Sequence, residues 1–223
     1  QKIRIDAWAT IRGTCMIGDK PAVGEEMMIF FERFEQVPEY LNTSITYHDI
    51  VVKNDGSYEI SRVPPRMTCT IGRAIVRKAK HLSPFSSQSH ARRITTQPGG
   101  VVEVNVGGTG RPLIGKFQLP VEADRPVDDW NESSTILRRI SDLDDGIETN
   151  LRTYPFSIND DGTFRVEDLQ AGDYQLSVDA VDMQASSKDF EIGRVGAKFT
   201  IPEIKGGRSD EPFDLGTMEL KLK

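Results

Sequence analysis

The feature that most constrains this chain is a stretch that occurs twice, 106 residues apart. The first copy runs Asn54-Asp55-Gly56-Ser57-Tyr58-Glu59-Ile60-Ser61-Arg62-Val63. The second runs Asp160-Asp161-Gly162-Thr163-Phe164-Arg165-Val166-Glu167-Asp168-Leu169. In each copy a tight Asp-Gly turn opens a segment of alternating apolar and polar residues. That period of two belongs to a strand with one buried face. Glycine in the turn supplies the positive φ that tight reversals need, and the flanking alternation predicts a hairpin.

The match continues on both sides. Ile11, Gly13 and Ile17 fall on Leu113, Gly115 and Leu119 at an offset of 102, and Asp19-Lys20-Pro21 falls on Asp124-Arg125-Pro126 at 105. His48, Ile50 and Val52 fall on Tyr154, Phe156 and Ile158 at 106, and Met67, Cys69 and Ile71 on Tyr174, Leu176 and Val178 at 107. The closing strands align Val102, Val104 and Val106 with Met218, Leu220 and Leu222 at 116. A steadily rising offset is the mark of a duplicated unit with small insertions. No segment of similar length carries a helical apolar period. The expectation is an all-β chain: two tandem antiparallel β-sandwiches, residues 1–108 and 109–223. Each is long enough to bury a core without disulfides. The boundary falls at Gly107-Gly108-Thr109-Gly110-Arg111-Pro112, which reads as a short flexible stretch.

Composition excludes several classes. No apolar run approaches the roughly 18–20 residues of a membrane span, and no charged-then-apolar start resembles a secretion signal. A chain that begins at Gln1 reads as a piece of something longer. Two cysteines in 223 residues make neither a disulfide framework nor a zinc set. Cys15 and Cys69 align with the core positions Phe117 and Leu176. They are either small apolar fillers or a candidate disulfide pair within the first sandwich.

The segments at 13–24 (Gly-Thr-Cys-Met-Ile-Gly-Asp-Lys-Pro-Ala-Val-Gly) and 55–65, with their counterpart at 161–176, resemble the carboxypeptidase regulatory-like domain of bacterial envelope proteins. The resemblance implies a transthyretin-like (prealbumin-like, Ig-like) seven-stranded sandwich related to Cna-B-type and starch-binding-like folds. It also implies a cell-envelope, periplasmic or extracellular setting. Arg66 departs from it, standing where a glycine is expected after Pro64-Pro65. The implied role is a non-catalytic structural or interaction module of a larger protein, partnered by neighbouring domains or another envelope protein. The alternative is carbohydrate binding, with Trp8, Tyr40, Phe85 and Trp130 as the aromatic candidates.

No catalytic, cofactor or metal set emerges. Lys116, the residue that an adhesin-type isopeptide bond would need, alternates with Phe117 and should point outward. His48, His81 and His90 form no close pair, as dioxygenase iron would require, and the chain does not end in a hydrolase-type Tyr-Arg-Gly-Ser tail. Asp142-Leu143-Asp144-Asp145-Gly146-Ile147-Glu148 lacks the glycine position and final glutamate of a calcium loop. Asn159-Asp160-Asp161-Gly162 reads as a turn, and there is no phosphate loop and no nucleophile elbow.

Charge is distributed unevenly. Residues 60–102 hold eight basic and no acidic side chains, whereas 121–191 hold 18 acidic and 6 basic. Residues 1–107 carry 14 basic and 11 acidic groups (+3), and 108–223 carry 14 and 23 (−9), which together give the −6 of the chain. Solvated surface, docking of one half on the other and recruitment of an anionic partner all fit. Nucleic acid does not, since the chain is acidic overall and the basic segment has a single aromatic. Arg77, Lys78, Lys80, His81, Phe85, Arg92 and Arg93, on and beside a long Ser-rich connection, are the candidate partner-contact residues.

Overall fold

The computed structural model describes residues 6–31, 46–77, 85–123, 126–127, 129–140, 153–154, 156–182 and 191–223. Two compact units separate, one within 1–74 and 88–108, the other within 75–87, 109–143 and 148–223. The secondary structure is β, apart from one 3₁₀ turn at Trp130–Glu132 among the described residues.

The first unit is a sandwich of three strands on four. Its smaller sheet has the order β6 (Ser57–Val63), β1 (Ala9–Thr14), β9 (Val101–Glu103). Its larger sheet has the order β5 (Thr46–Val51), β4 (Glu26–Phe31), β7 (Thr68–Arg77), β8 (Phe85–Thr95). A small ribbon of β2 (Met16–Ile17) and β3 (Lys20–Pro21) links β1 to β4. Alternation decides which side chains meet between the sheets. Ile11, Tyr58 and Ile60 from one sheet close on Met27, Ile29, Cys69 and Ile71 from the other. The Tyr58 ring is buried with its hydroxyl donating to the Val104 carbonyl at 2.7 Å, so the phenol meets no unsatisfied burial cost.

The second unit repeats the plan. β12 (Thr163–Leu169), β10 (Arg111–Gln118) and β15 (Phe213–Glu219) form its three-stranded sheet. β11 (Ser134–Arg139), β13 (Gly172–Val181), β14 (Glu191–Ile201) and β16 (Lys221–Leu222) form the four-stranded one. Its core is more aromatic. Phe117 stacks on Phe164 at 4.8 Å, and Tyr174 stacks on Phe199 at 5.7 Å.

The equivalence holds residue by residue. Ile11 pairs with Ile60 and Gly13 with Tyr58; in the second unit Leu113 pairs with Val166 and Gly115 with Phe164. Both ladders are irregular at the same step, between Ala9 and Ile11 and between Arg111 and Leu113.

Three expectations need correction. The Asp-Gly turns close hairpins, but short ones: Lys53 N–H donates to the Ser57 carbonyl at 2.9 Å, Asn159 N–H to the Thr163 carbonyl at 2.8 Å, and Ile158 bridges Phe164. In the first unit the strand before the turn, β5, pairs with β4, and the strand after it, β6, pairs with β1. The turn therefore carries the chain between sheets, since each flanking strand finds a better partner than the other. The closing strands align at 111 to 112, not 116: Ile11 pairs with Val102 and Leu113 with Phe213, Cys15 bridges Val106 and Phe117 pairs with Met218. A slip of four residues leaves a period-two pattern unchanged, so alternation alone could not set this register. Third, the sheets are antiparallel except for one parallel pair in each unit, β1 with β9 and β10 with β15.

Candidate functional site

The two Asp-Gly turns are the most nearly identical local structures in the chain. The Asp55 carboxylate accepts the Ser57 N–H at 2.9 Å, and the Asp161 carboxylate accepts the Thr163 N–H at 3.0 Å and its hydroxyl at 2.6 Å. Gly56 and Gly162 have φ of 83° and 82°. Their carbonyls accept from Cys15 N–H (2.8 Å) and Phe117 N–H (2.9 Å), which ties each turn to the end of the unit's first strand. Hydrogen bonds from the Ser57 and Thr163 side chains, then from their backbone N–H groups, hold the Asp55 and Asp161 carboxyls below their ordinary range. These carboxylates are spent on their own turns, as Asx turns are. Among the described residues no group of three or more His, Cys, Asp or Glu is placed to hold a metal.

Of the candidate partner-contact residues, Arg77, Phe85, Arg92 and Arg93 lie on described strands. Arg77 ends β7 and Phe85 starts β8, neighbours in the larger sheet of the first sandwich. Lys78, Lys80 and His81 lie outside the described residues. Arg92 is half-buried and Arg93 exposed, seven and eight positions along β8 from Phe85. At about 3.3 Å per residue this places them about 25 Å along the strand from Phe85. The His48 side chain and the acidic run 142–148 also lie outside what is described. His90 interrupts β8 with a left-handed φ of 58°.

Cys15 and Cys69 are both fully buried in the first core. Their places along the sandwich differ. The Cys15 carbonyl accepts Ala22 N–H at 3.0 Å, where the chain approaches the start of β4, whereas Cys69 pairs with Phe31, the last residue of β4. The length of β4, about 20 Å at 3.3 Å per residue, separates those ends. A disulfide needs a Cα separation of roughly 4.4–6.8 Å. In this arrangement each cysteine packs as a small apolar side chain in the first core.

Of the aromatic candidates, Trp130 is corrected to a core residue, 6% exposed and packed on Phe117 at 6.2 Å. Trp8 is 57% exposed, immediately before the inward-facing Ala9. Tyr40 lies outside the described residues, as does the side chain of Phe85. Lys116 is exposed beside the buried Phe117, in agreement with the alternation.

The boundary expected as flexible is tied down on both flanks. Val106 N–H donates to the Thr14 carbonyl at 2.8 Å within the first unit. Gly110 N–H donates to the Gly207 carbonyl at 2.7 Å within the second. Two residues of that second anchor were not singled out from sequence: Asp168, 2% exposed, and Arg208, whose guanidinium lies 3.7 Å from its carboxylate. Nothing in the local sequence marks Asp168 as buried, because its environment comes from the remote loop at 202–212.

No family model and no curated protein matches the sequence. Among solved structures, the minor pilin GBS52 of Streptococcus agalactiae is similar at 11% identity and TM-score 0.37, covering 96% of each chain. A putative adhesin from Bacteroides ovatus is similar at 8% identity and TM-score 0.33, covering 95% of this chain and 88% of that one. The Bacillus anthracis TIE protein aligns with 97% of this chain at 12% identity and TM-score 0.31, and this chain spans 34% of its length.

Proposed function

We propose that the chain is a non-catalytic structural module, a tandem spacer in a larger cell-envelope or extracellular protein, with residues 1–108 and 109–223 as its two domains. What the copies have in common carries the reading. The recurring positions are the turn (Asp55 and Asp161, Gly56 and Gly162), the ladder irregularity near Ala9 and Arg111, and the core pairs. The groups with chemistry of their own do not recur. Cys15 becomes Phe117, Tyr58 becomes Phe164 and His48 becomes Tyr154. Repetition of architecture without repetition of a reactive group is what a spacer requires. The carboxypeptidase regulatory-like, prealbumin-like type is the finer form of this proposal, and its partners are the neighbouring domains of the longer chain or another envelope protein.

The test replaces residues 1–223 in the parent protein by an unrelated pair of β-sandwiches of equal length. A spacer is rescued by the replacement. Loss of the parent's surface display or attachment, with expression unchanged, would show instead that these two sandwiches contact something specific.

A second reading is favoured by one observation, the 57% exposure of Trp8 immediately before β1. Indole faces stack on sugar rings, and a polysaccharide is the alternative ligand. A glycan titration that quenches tryptophan fluorescence in the native chain, but not in Trp8→Ala, would support it.

A further inference from the structure

We infer that each sandwich is a clamp that resists tension applied through its own ends, an inference that rests on the spacer reading and gives it a mechanical role. The observation is the parallel pairing of entry and exit strands. In the first unit β1 and β9 run in the same direction, with Thr10 opposite Val101 and Cys15 bridging Val106. In the second, β10 and β15 do the same from Leu113–Phe213 to Gln118–Glu219. Adjacent parallel strands put the point where the chain enters and the point where it leaves at opposite ends of one ladder. A pull on those points runs along the strands and across the hydrogen bonds between them. The bonds are then strained together, not opened one at a time as when two ends at the same side of a ladder are drawn apart.

The first clamp keeps one register from Thr10 to Cys15 but is interrupted at Thr14, whose N–H goes to a side chain, and it is tied across by side chains. Thr10 N–H donates to Gly100 O at 2.9 Å, Val104 N–H to Arg12 O at 2.8 Å, Val106 N–H to Thr14 O at 2.8 Å and Met16 N–H to Val106 O at 2.9 Å. Arg12 pairs with Glu103 at 2.8 Å, and the Asn105 side-chain oxygen accepts both the hydroxyl (2.9 Å) and the N–H (3.1 Å) of Thr14. Tyr58 adds its 2.7 Å bond to Val104 from the core side. The second clamp reaches further, with Gly110 bridging Arg208 and Leu220 N–H donating to Gln118 O at 2.9 Å. It is broken between Ile114 and Lys116, where Gly216 takes φ of 68° and its N–H turns to the Asp214 carboxylate at 2.7 Å. The side-chain ties of the first clamp are exposed, so each contributes little at equilibrium. Under load they must break with the ladder, and the unfolding rate, not the equilibrium, sets mechanical survival.

Single-molecule pulling on the full chain tests this. Drawn through its two termini, the chain should unfold in two steps, one for each unit. The double variant Arg12→Ala/Asn105→Ala should unfold its first unit about tenfold faster at fixed tension, as expected for losing two or three surface interactions. Its denaturant midpoint should fall in step with that change, because the lost ties stabilise only the folded state. A handle at a cysteine introduced for Val121, which is fully exposed just after β10, pulled against the C-terminus draws β10 and β15 apart from one side. The second unit should then give way at much lower force. Equal forces in the two pulling geometries, or an unchanged rate in the double variant, would overturn the clamp. The spacer reading is judged separately by the replacement experiment, so either can fail while the other stands.

Discussion

Arg62 and Asp168 stand at the same position of the two copies, 106 residues apart, and both hold a left-handed backbone, with φ of 60° and 64°. Aspartate tolerates that region better than arginine, and it costs an L-residue roughly 1–2 kcal/mol. The strain recurs because it belongs to the ladder irregularity opposite Ala9–Ile11 and Arg111–Leu113, where the strand must absorb an extra residue. What surrounds the two side chains differs. Arg62 is exposed, whereas Asp168 is 2% exposed and faces Arg208.

That contrast gives opposite outcomes for substitution. Arg62→Gly removes the strain and loses no buried contact, so it should stabilise the first unit by about 0.5–1 kcal/mol. Asp168→Asn keeps a side chain that tolerates the left-handed region but leaves Arg208 without its buried counter-charge. It should destabilise the second unit by about 1–3 kcal/mol. Urea titrations of each variant check both signs. A destabilised Arg62→Gly would show that the backbone there is not strained.

Gly56 and Gly162 share a conformation but not a neighbourhood. A β-carbon at Gly162 would come within 2.2 Å of the Phe117 carbonyl oxygen, whereas at Gly56 the nearest atom is the Pro21 side chain at 3.2 Å. Alanine at either site meets the φ penalty, about 1–2 kcal/mol. Gly162→Ala must also move backbone, so it should cost more than Gly56→Ala, and thermal melts of the two variants should rank them in that order.

These sites show which parts of the fold could be read in sequence. The turn and the strands beside it were legible because Asp-Gly chemistry and period-two alternation are local. β4 and β11 were not matched. They pair equivalently, Phe31 with Cys69 and Leu137 with Leu176, but Ile29 becomes Thr135 and Met27 becomes Ser133, so two of three core positions change type. The parallel strand pairs were invisible for another reason: direction of pairing is set by topology, and an alternating segment looks the same in either. Among the site candidates, Trp130 was misplaced because an isolated tryptophan carries no sign of which way its short 3₁₀ turn faces. Asp168 was missed because its partner comes from a loop some 40 residues away in sequence.

The two turn carboxylates predict an acid limb. Asp55 and Asp161 both have folded pKa values below the 3.8 of the free side chain, because the charged form is the hydrogen-bonded one. A depressed folded pKa adds stability that is complete above the unfolded value and is lost as pH falls through the folded one. Both contributions should therefore be intact at neutral pH and fade below about pH 4. In Asp55→Asn/Asp161→Asn the fall in stability between about pH 5 and pH 2 should be shallower than in the native chain. An identical acid limb in the two proteins would mean that other carboxylates set it.

The cysteines give the last prediction. Cys15 and Cys69 have no exposure and lie at opposite ends of β4, so oxidation cannot join them without dismantling the sandwich. Burial also denies reagents access. In the native chain a thiol reagent should titrate neither residue within minutes. In denaturant it should titrate both, and the count should be the same with and without prior reduction. Cys69→Ala opens a small void between Phe31 and Ile71 and should cost about 1 kcal/mol, the cost of removing a buried methyl-sized group. Cys15→Ala should cost a similar amount, independently of the first, because the two side chains share no contact across that distance. If the double variant loses much more than the sum, or if reductant raises the denatured thiol count, the two sulfurs are coupled and the placement of one of them is wrong.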